Sequence, residues 1–224
     1  MVETVKPTLG YWKIRGLAQQ IRYMFALAKV EFTEDLYEVV ATPEGGWDRS
    51  AWNDKKFTLG LDYPNLPYLF DGDYKLTETV AIMRYVAAKW APEMLGTTPE
   101  EQANLVMMTE HVGQLKSSAT GPCYTGGSRE TIVDTCRPIL AGISKWLGER
   151  EYFGNTVTFL DVFFYELCEL TDLVSEGKFY AEFPNTKAHH DRIHEIPALK
   201  EYRAKQDAEH GVVPFNNPMA SIGA

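Results

Sequence analysis

Four short segments in the first 90 residues carry side chains able to do chemistry together. They are Gly10-Tyr11-Trp12-Lys13-Ile14-Arg15-Gly16-Leu17, Arg49-Ser50-Ala51-Trp52, Asn65-Leu66-Pro67-Tyr68 and Glu78-Thr79-Val80-Ala81-Ile82-Met83-Arg84-Tyr85. Each is weak alone. A phenol, a set of cations and indoles, a Leu-Pro step and an acidic residue at a helix start combine in a specific order. Together they point to a site that holds a small acidic thiol peptide and activates its sulfur.

The elements that position these residues follow from pattern. Thr8–Trp12 reads as a short strand. Leu17–Ala28 carries Ile21, Met24, Phe25 and Leu27 near helical spacing. Phe32–Val40 looks extended. Leu66–Phe70, the Asp71-Gly72 turn and Tyr74–Leu76 give a hairpin signal, and Thr79–Trp90 reads as a helix. The order βαβ, irregular helix, ββα fits a small α/β unit.

Residues 91–97 punctuate the chain and read as a linker. Thr98-Pro99-Glu100-Glu101 is a helix start with a capping threonine, a proline at the first helical position and a glutamate where a capping box needs one. The chain then reads helical to about Lys205. A second start lies at Val157–Val162, with Thr158 and Asp161 as its box and Val157 set to staple onto Val162. Phe163, Phe164, Leu167, Leu170 and Leu173 after it suggest a buried central helix. Gly211–Ala224 has two prolines and no period, and reads as a loose cover or as disordered.

The chain has 224 residues, 45% hydrophobic and 24% charged, with a net charge of -9. That composition is ordinary for a soluble globular protein. The acidic balance, with Lys55-Lys56 the only basic doublet, argues against a nucleic-acid partner. Met1–Thr8 has no apolar core, so no secretory signal is expected. No segment approaches the roughly 20 apolar residues of a membrane span. Three cysteines without C-x-x-C spacing suggest neither a disulfide framework nor a zinc site, and a reducing cytoplasm is the expected setting. Neighbouring His189 and His190 point in different directions on a helix and read as surface, so no metal site is expected.

The four segments resemble the glutathione S-transferases, and within them the mu class. The resemblance covers nearly the whole chain, is dense from Leu9 to Tyr85 and thins in the helical half. Leu59–Tyr68 is its strongest stretch, and Ala41–Arg49 resembles the extra loop of the mu class. It implies an α/β plus all-α fold: a thioredoxin-like glutathione-binding domain at 1–90, a linker at 91–97, and an all-helical domain at 98–224 with the acceptor pocket and tail. It also implies a homodimer, with glutathione as co-substrate and no cofactor.

By the same resemblance Tyr11 is the catalytic tyrosine. Trp12, Leu17, Arg49, Trp52 and Lys56 join the glutathione site, the cations suiting a glycine carboxylate. Asn65, Leu66 and Pro67 match a motif in which a cis proline exposes a backbone edge to the cysteinyl group. Glu78 and Thr79 match the pair that holds the γ-glutamyl group, where the mu pattern is Gln-Ser; a helix start there suits an α-carboxylate. Gln114 stands where the mu class has an aspartate that reaches across the dimer, and Glu78 is the candidate replacement for that charge. Tyr124 matches a second tyrosine facing the electrophile. Ile14, Leu17, Gly113, Tyr124 and Asn216 are expected around an apolar acceptor pocket, Asn216 standing where an aromatic residue is usual. Tyr63 matches an aromatic key inserted into the partner subunit.

The implied activity is attack of the glutathione thiolate on a hydrophobic electrophile. The competing readings are a non-catalytic binding protein of the same fold and a glutathione-dependent isomerase or peroxidase.

Overall fold

A computed structural model describes residues 5–224. The N-terminal stretch read above as lacking a signal core therefore falls partly outside the described residues. The N-terminal part is a mixed four-stranded sheet in the order β2-β1-β5-β6. Strand β1 (Thr8–Trp12) lies parallel to β2 (Thr33–Tyr37) and antiparallel to β5 (Tyr68–Asp71), which pairs with β6 (Tyr74–Thr77) across the Asp71-Gly72 turn. Helix α1 (Gln19–Leu27) buries Ile21, Met24 and Phe25, as their spacing predicts. It starts two residues later than the pattern suggests, because Gly16 turns the chain at φ +42°. Between β2 and β5, strands β3 (Val40–Ala41) and β4 (Trp47–Asp48) form a small separate hairpin, followed by the short helix α2 (Ser50–Asn53). Helix α3 (Thr79–Trp90) spans the predicted range.

A 3₁₀ turn at Pro92–Leu95 leads to the helical part. Helix α4 (Pro99–Thr125) is capped by Thr98, whose hydroxyl accepts the Glu101 N–H at 3.1 Å. The expected box is only half made. The Glu101 carboxylate reaches past Thr98 to the Thr97 N–H (2.7 Å) and the Asn155 N–H (2.6 Å), tying the linker to the loop before α6. Then come α5 (Arg129–Leu147), α6 (Phe159–Ser175), α7 (Lys178–Glu182), α8 (Pro184–His194) and α9 (Pro197–His210).

Helix α6 is the axis of this half and packs against α1, α3, α4, α5, α7 and α8. Phe159, Leu160, Val162, Phe163 and Phe164 are all buried, each contributing about 1.5–3 kcal/mol by leaving water. Leu173 is the exception, 39% exposed near the helix end. Its start is a complete capping box between Thr158 and Asp161. His189 is not a surface residue. It is fully buried and its Nε2 lies 2.8 Å from Asp161 Oδ1, while half-buried His190 reaches Glu169 at 3.1 Å. Among the described residues no helix is long and apolar enough to cross a membrane.

Candidate functional site

A cavity of about 630 Å³ opens between the sheet and the helical part. On one wall stand Tyr11, Trp12, Arg49, Trp52, Lys56, Asn65 and Leu66. Tyr11, at the buried centre of β1, keeps only 5% of its surface exposed. Its hydroxyl oxygen accepts the Leu17 N–H at 2.9 Å. With that lone pair engaged, the phenol's own proton is left for a group in the cavity. Burial pushes the Tyr11 phenol up to about 12, against the smaller lowering by the Leu17 N–H. The group is thus a neutral donor across the physiological range, and not a base.

Gly16 makes this approach possible. A Cβ there would stand 2.6 Å from the Tyr11 hydroxyl oxygen and 2.8 Å from its ring. The Leu17 peptide is held from the other side as well, its carbonyl accepting Gln20 Nε2 at 3.0 Å and the Thr79 hydroxyl at 3.2 Å. The Thr79 side chain is therefore used inside the protein, which leaves the backbone at the start of α3 for a ligand anion.

Trp52 is buried and stacks on Tyr68 with ring centroids 6.1 Å apart, so it both packs and lines the cavity. Tyr68 in turn lies over Gly10, where a Cβ would meet its ring at 2.1 Å. The Leu66–Pro67 peptide is cis. Pro67, Glu78 and Thr79 are not among the residues lining the cavity, and Glu78 is exposed. Asn65 links the two groups, donating from Nδ2 to Glu78 Oε1 at 3.2 Å. Glu78 has φ +75°, a region costly for any residue with a Cβ, and such outliers cluster where a site over-determines the backbone.

The opposite wall departs from expectation. Gly113 does not line the cavity. Its place falls to Lys116, Ser117, Thr120, Gly121 and Tyr124, one face of α4. Leu167 and Leu170 of α6, with Ile14, Leu17 and Phe215, supply the apolar surface. Gln20, which pattern reading also passed over, is buried on this cavity with Oε1 unpartnered among the described residues. Spacing from Tyr124 at i–4, i–7 and i–8 is the signal that would have found the α4 face. Gln20 has no such signal. Gln114 lies away from the cavity, in an apolar groove between α4 and α5.

The tail is ordered and closes one side of the cavity. Pro214 and Phe215 carbonyls accept the Arg15 and Gly16 N–H groups at 2.8 and 2.9 Å, and Ser221 N–H reaches the Cys123 carbonyl at 2.8 Å. Asn216 is buried, with Nδ2 on the Ile222 carbonyl, and the Tyr124 hydroxyl donates to its Oδ1 at 3.3 Å. The same hydroxyl accepts the Asn217 N–H at 3.1 Å.

The segment matching the N-terminal domain model of the glutathione S-transferases is 7–88, and residues 126–206 match the model of their C-terminal domain. The chain belongs to the glutathione S-transferase family. A glutathione S-transferase of Dermatophagoides pteronyssinus is 33% identical over 98% of both chains. A class-mu 26 kDa isozyme of Fasciola hepatica is 36% identical over 96% of this chain and 95% of its own. Human glutathione S-transferase Mu 3 is 34% identical, covering 96% and 94%. The crystal structure of the glutathione S-transferase Blo t 8 superposes with a TM-score of 0.84 at 29% identity, over 97% of this chain and all of that one. The chain is thus a mu-class-like transferase that uses glutathione, with a thioredoxin-like sheet followed by an all-helical part.

Proposed function

We propose that the enzyme joins the glutathione sulfur to electrophilic, largely hydrophobic small molecules, with Tyr11 holding the thiolate. The observation that carries this reading is the Tyr11 hydroxyl, capped from behind by the Leu17 N–H and kept protonated by burial. A free thiol has a pKa of about 8.5. Bringing it two units lower takes about 2.7 kcal/mol of preference for the anion. A sheltered hydrogen bond to a charged group contributes about 1.5–3 kcal/mol, so one well-aimed phenol nearly suffices.

In this reading Arg49 and Lys56 take the glycine carboxylate, and Trp12 and Trp52 flank the cysteinyl-glycine end. The Leu66 backbone pairs with the cysteinyl group beside Pro67. Glu78, Asn65 and the start of α3 at Thr79 hold the γ-glutamyl end. Tyr124 serves an acceptor oxygen when its hydroxyl exchanges its tail partners for substrate. Residues 1–90 form the glutathione domain, 91–97 the linker and 98–224 the acceptor domain. The buried free cysteines fit a reducing cytoplasm.

The protein acts as a homodimer with Tyr63 as the anchor across the interface. Tyr63 is 81% exposed, and the groove between α4 and α5, lined by Met107, Met108, Ile139 and Trp146, offers an apolar receptor.

The test is steady-state conjugation of glutathione to a chlorodinitroarene from pH 5.5 to 10. The wild type should rise with an apparent pKa well under 8.5 and then stay flat, since the Tyr11 phenol does not ionise in that range. Tyr11→Phe should lose about 10- to 100-fold in rate, with the rise moved towards the free thiol. An unshifted rise in the variant would remove Tyr11 from its role.

A further inference from the structure

Every charged residue lining the cavity but one is a cation, in a chain whose net charge is -9. The cations are Arg49, Lys56 and Lys116, and the one acid is Glu166. Glu166 is already matched by Arg15, whose Nε and Nη2 reach its two oxygens at 3.0 and 2.6 Å. Arg49 and Lys56 stand beside Trp52 on the sheet side, where the reading above places the glycine end of glutathione. Lys116 stands on the opposite wall, on α4, with no acidic side chain within 4 Å of its ammonium among the described residues. The glutathione carboxylates are both accounted for in that reading, so this cation is unmatched. Thr120, one turn on, has a hydroxyl with no hydrogen-bond partner among the described residues. Apolar Ile14, Leu167 and Phe215 complete the space.

We propose that the acceptor subsite selects anionic amphiphiles: electrophiles with an apolar body and a carboxylate that pairs with the Lys116 ammonium and the Thr120 hydroxyl. This rests on the transferase reading and narrows its substrate class. An ion pair in a partly sheltered cleft, with a hydroxyl donating to the same carboxylate, is a charge-assisted arrangement. The reaction itself is unchanged. For an aryl chloride the thiolate forms the C–S bond at the ring carbon bearing chlorine. Chloride then leaves with the C–Cl electron pair, the thiol proton having gone to solvent.

The probes are 4-chloro-3-nitrobenzoate and its methyl ester, each rate corrected for the uncatalysed reaction. The quantity read is the acid-to-ester ratio of kcat/KM. Wild type should favour the acid, and potassium chloride should erode that preference, because salt screens the pair. Lys116→Met should lower the ratio about tenfold, the effect of about 1.4 kcal/mol. Lys116→Arg should retain it and Lys116→Glu should invert it. A ratio untouched by these three variants would overturn the proposal while leaving the transferase reading intact. A parallel loss on both probes with a raised KM for glutathione would overturn it too, placing Lys116 at the glutathione end. Wild type inert towards the acid, the ester and a chlorodinitroarene alike would overturn both readings together.

Discussion

Tyr11, Gly16 and Leu17 form the smallest unit that performs the proposed chemistry. The phenol needs a donor behind it, and the chain supplies one by turning sharply at Gly16 so that the next N–H points back. Gly16→Ala should therefore damage the site twice. The left-handed backbone costs about 1–2 kcal/mol for a residue with a Cβ, and the methyl would drive into the Tyr11 hydroxyl. We expect at least a tenfold fall in kcat with the apparent thiol pKa moved upward, read from the pH-rate profile. Unaltered kcat would mean that the loop yields without moving Tyr11. The place of Tyr11 on the cavity was legible from sequence, because its neighbours and spacing are distinctive. The Leu17 N–H was not, because a backbone donor leaves no mark in residue type. Gly113 was misplaced for a related reason, since the side chains of the following turn make the wall.

At the scale of elements, the start of α6 governs the helical half. Asp161 is fully buried and takes the Phe153 N–H, the Thr158 N–H and hydroxyl, and His189 Nε2. Deleting its carboxylate leaves several buried donors unmatched, each costing about 1–3 kcal/mol. Asp161→Ala should thus cost about 3–5 kcal/mol, measured as a lowered midpoint in urea. A loss under 1 kcal/mol would show that water or a neighbour replaces it. The Thr158–Asp161 box was readable from three-residue spacing. Its third partner was not: adjacent histidines on a helix diverge, but only the packing of α8 onto α6 decides that His189 turns inward. The half-made box at Thr98 has a similar cause, because Glu101 finds better donors in Thr97 and Asn155.

At the scale of the whole molecule, one arginine joins the two halves. Arg15 leaves the loop after β1, pairs with Glu166 and Glu169 of α6, and lies 3.8 Å under the Phe215 ring of the tail. Burial would raise both acids. It prevails at Glu166, raised above the usual carboxylate range despite Arg15, and loses at Glu169, held well below that range by the His190 hydrogen bond and the Arg15 and Arg203 charges. A depressed carboxylate stabilises the fold above its unfolded pKa near 4.5, and that contribution is lost as pH falls. Glu169→Gln should therefore weaken the protein at pH 7 by about 3–5 kcal/mol and flatten its acid-unfolding limb. An acid limb unchanged in slope would contradict this. Arrangement on this scale was barely visible in sequence, since Arg15 and Glu166 are 151 residues apart and no periodicity links them. The proposed dimer belongs here too: Tyr63→Asp should shift the sedimentation profile towards monomer, and an unmoved profile would take Tyr63 out of the interface.

The most direct test of the central claim is an ultraviolet difference titration of glutathione bound to the enzyme, following thiolate absorbance without any acceptor. Wild type should show the bound thiol ionising about two units below 8.5, and Tyr11→Phe should return it close to that value. A bound thiol that titrates like the free one in wild type, or identically in both proteins, would contradict the account.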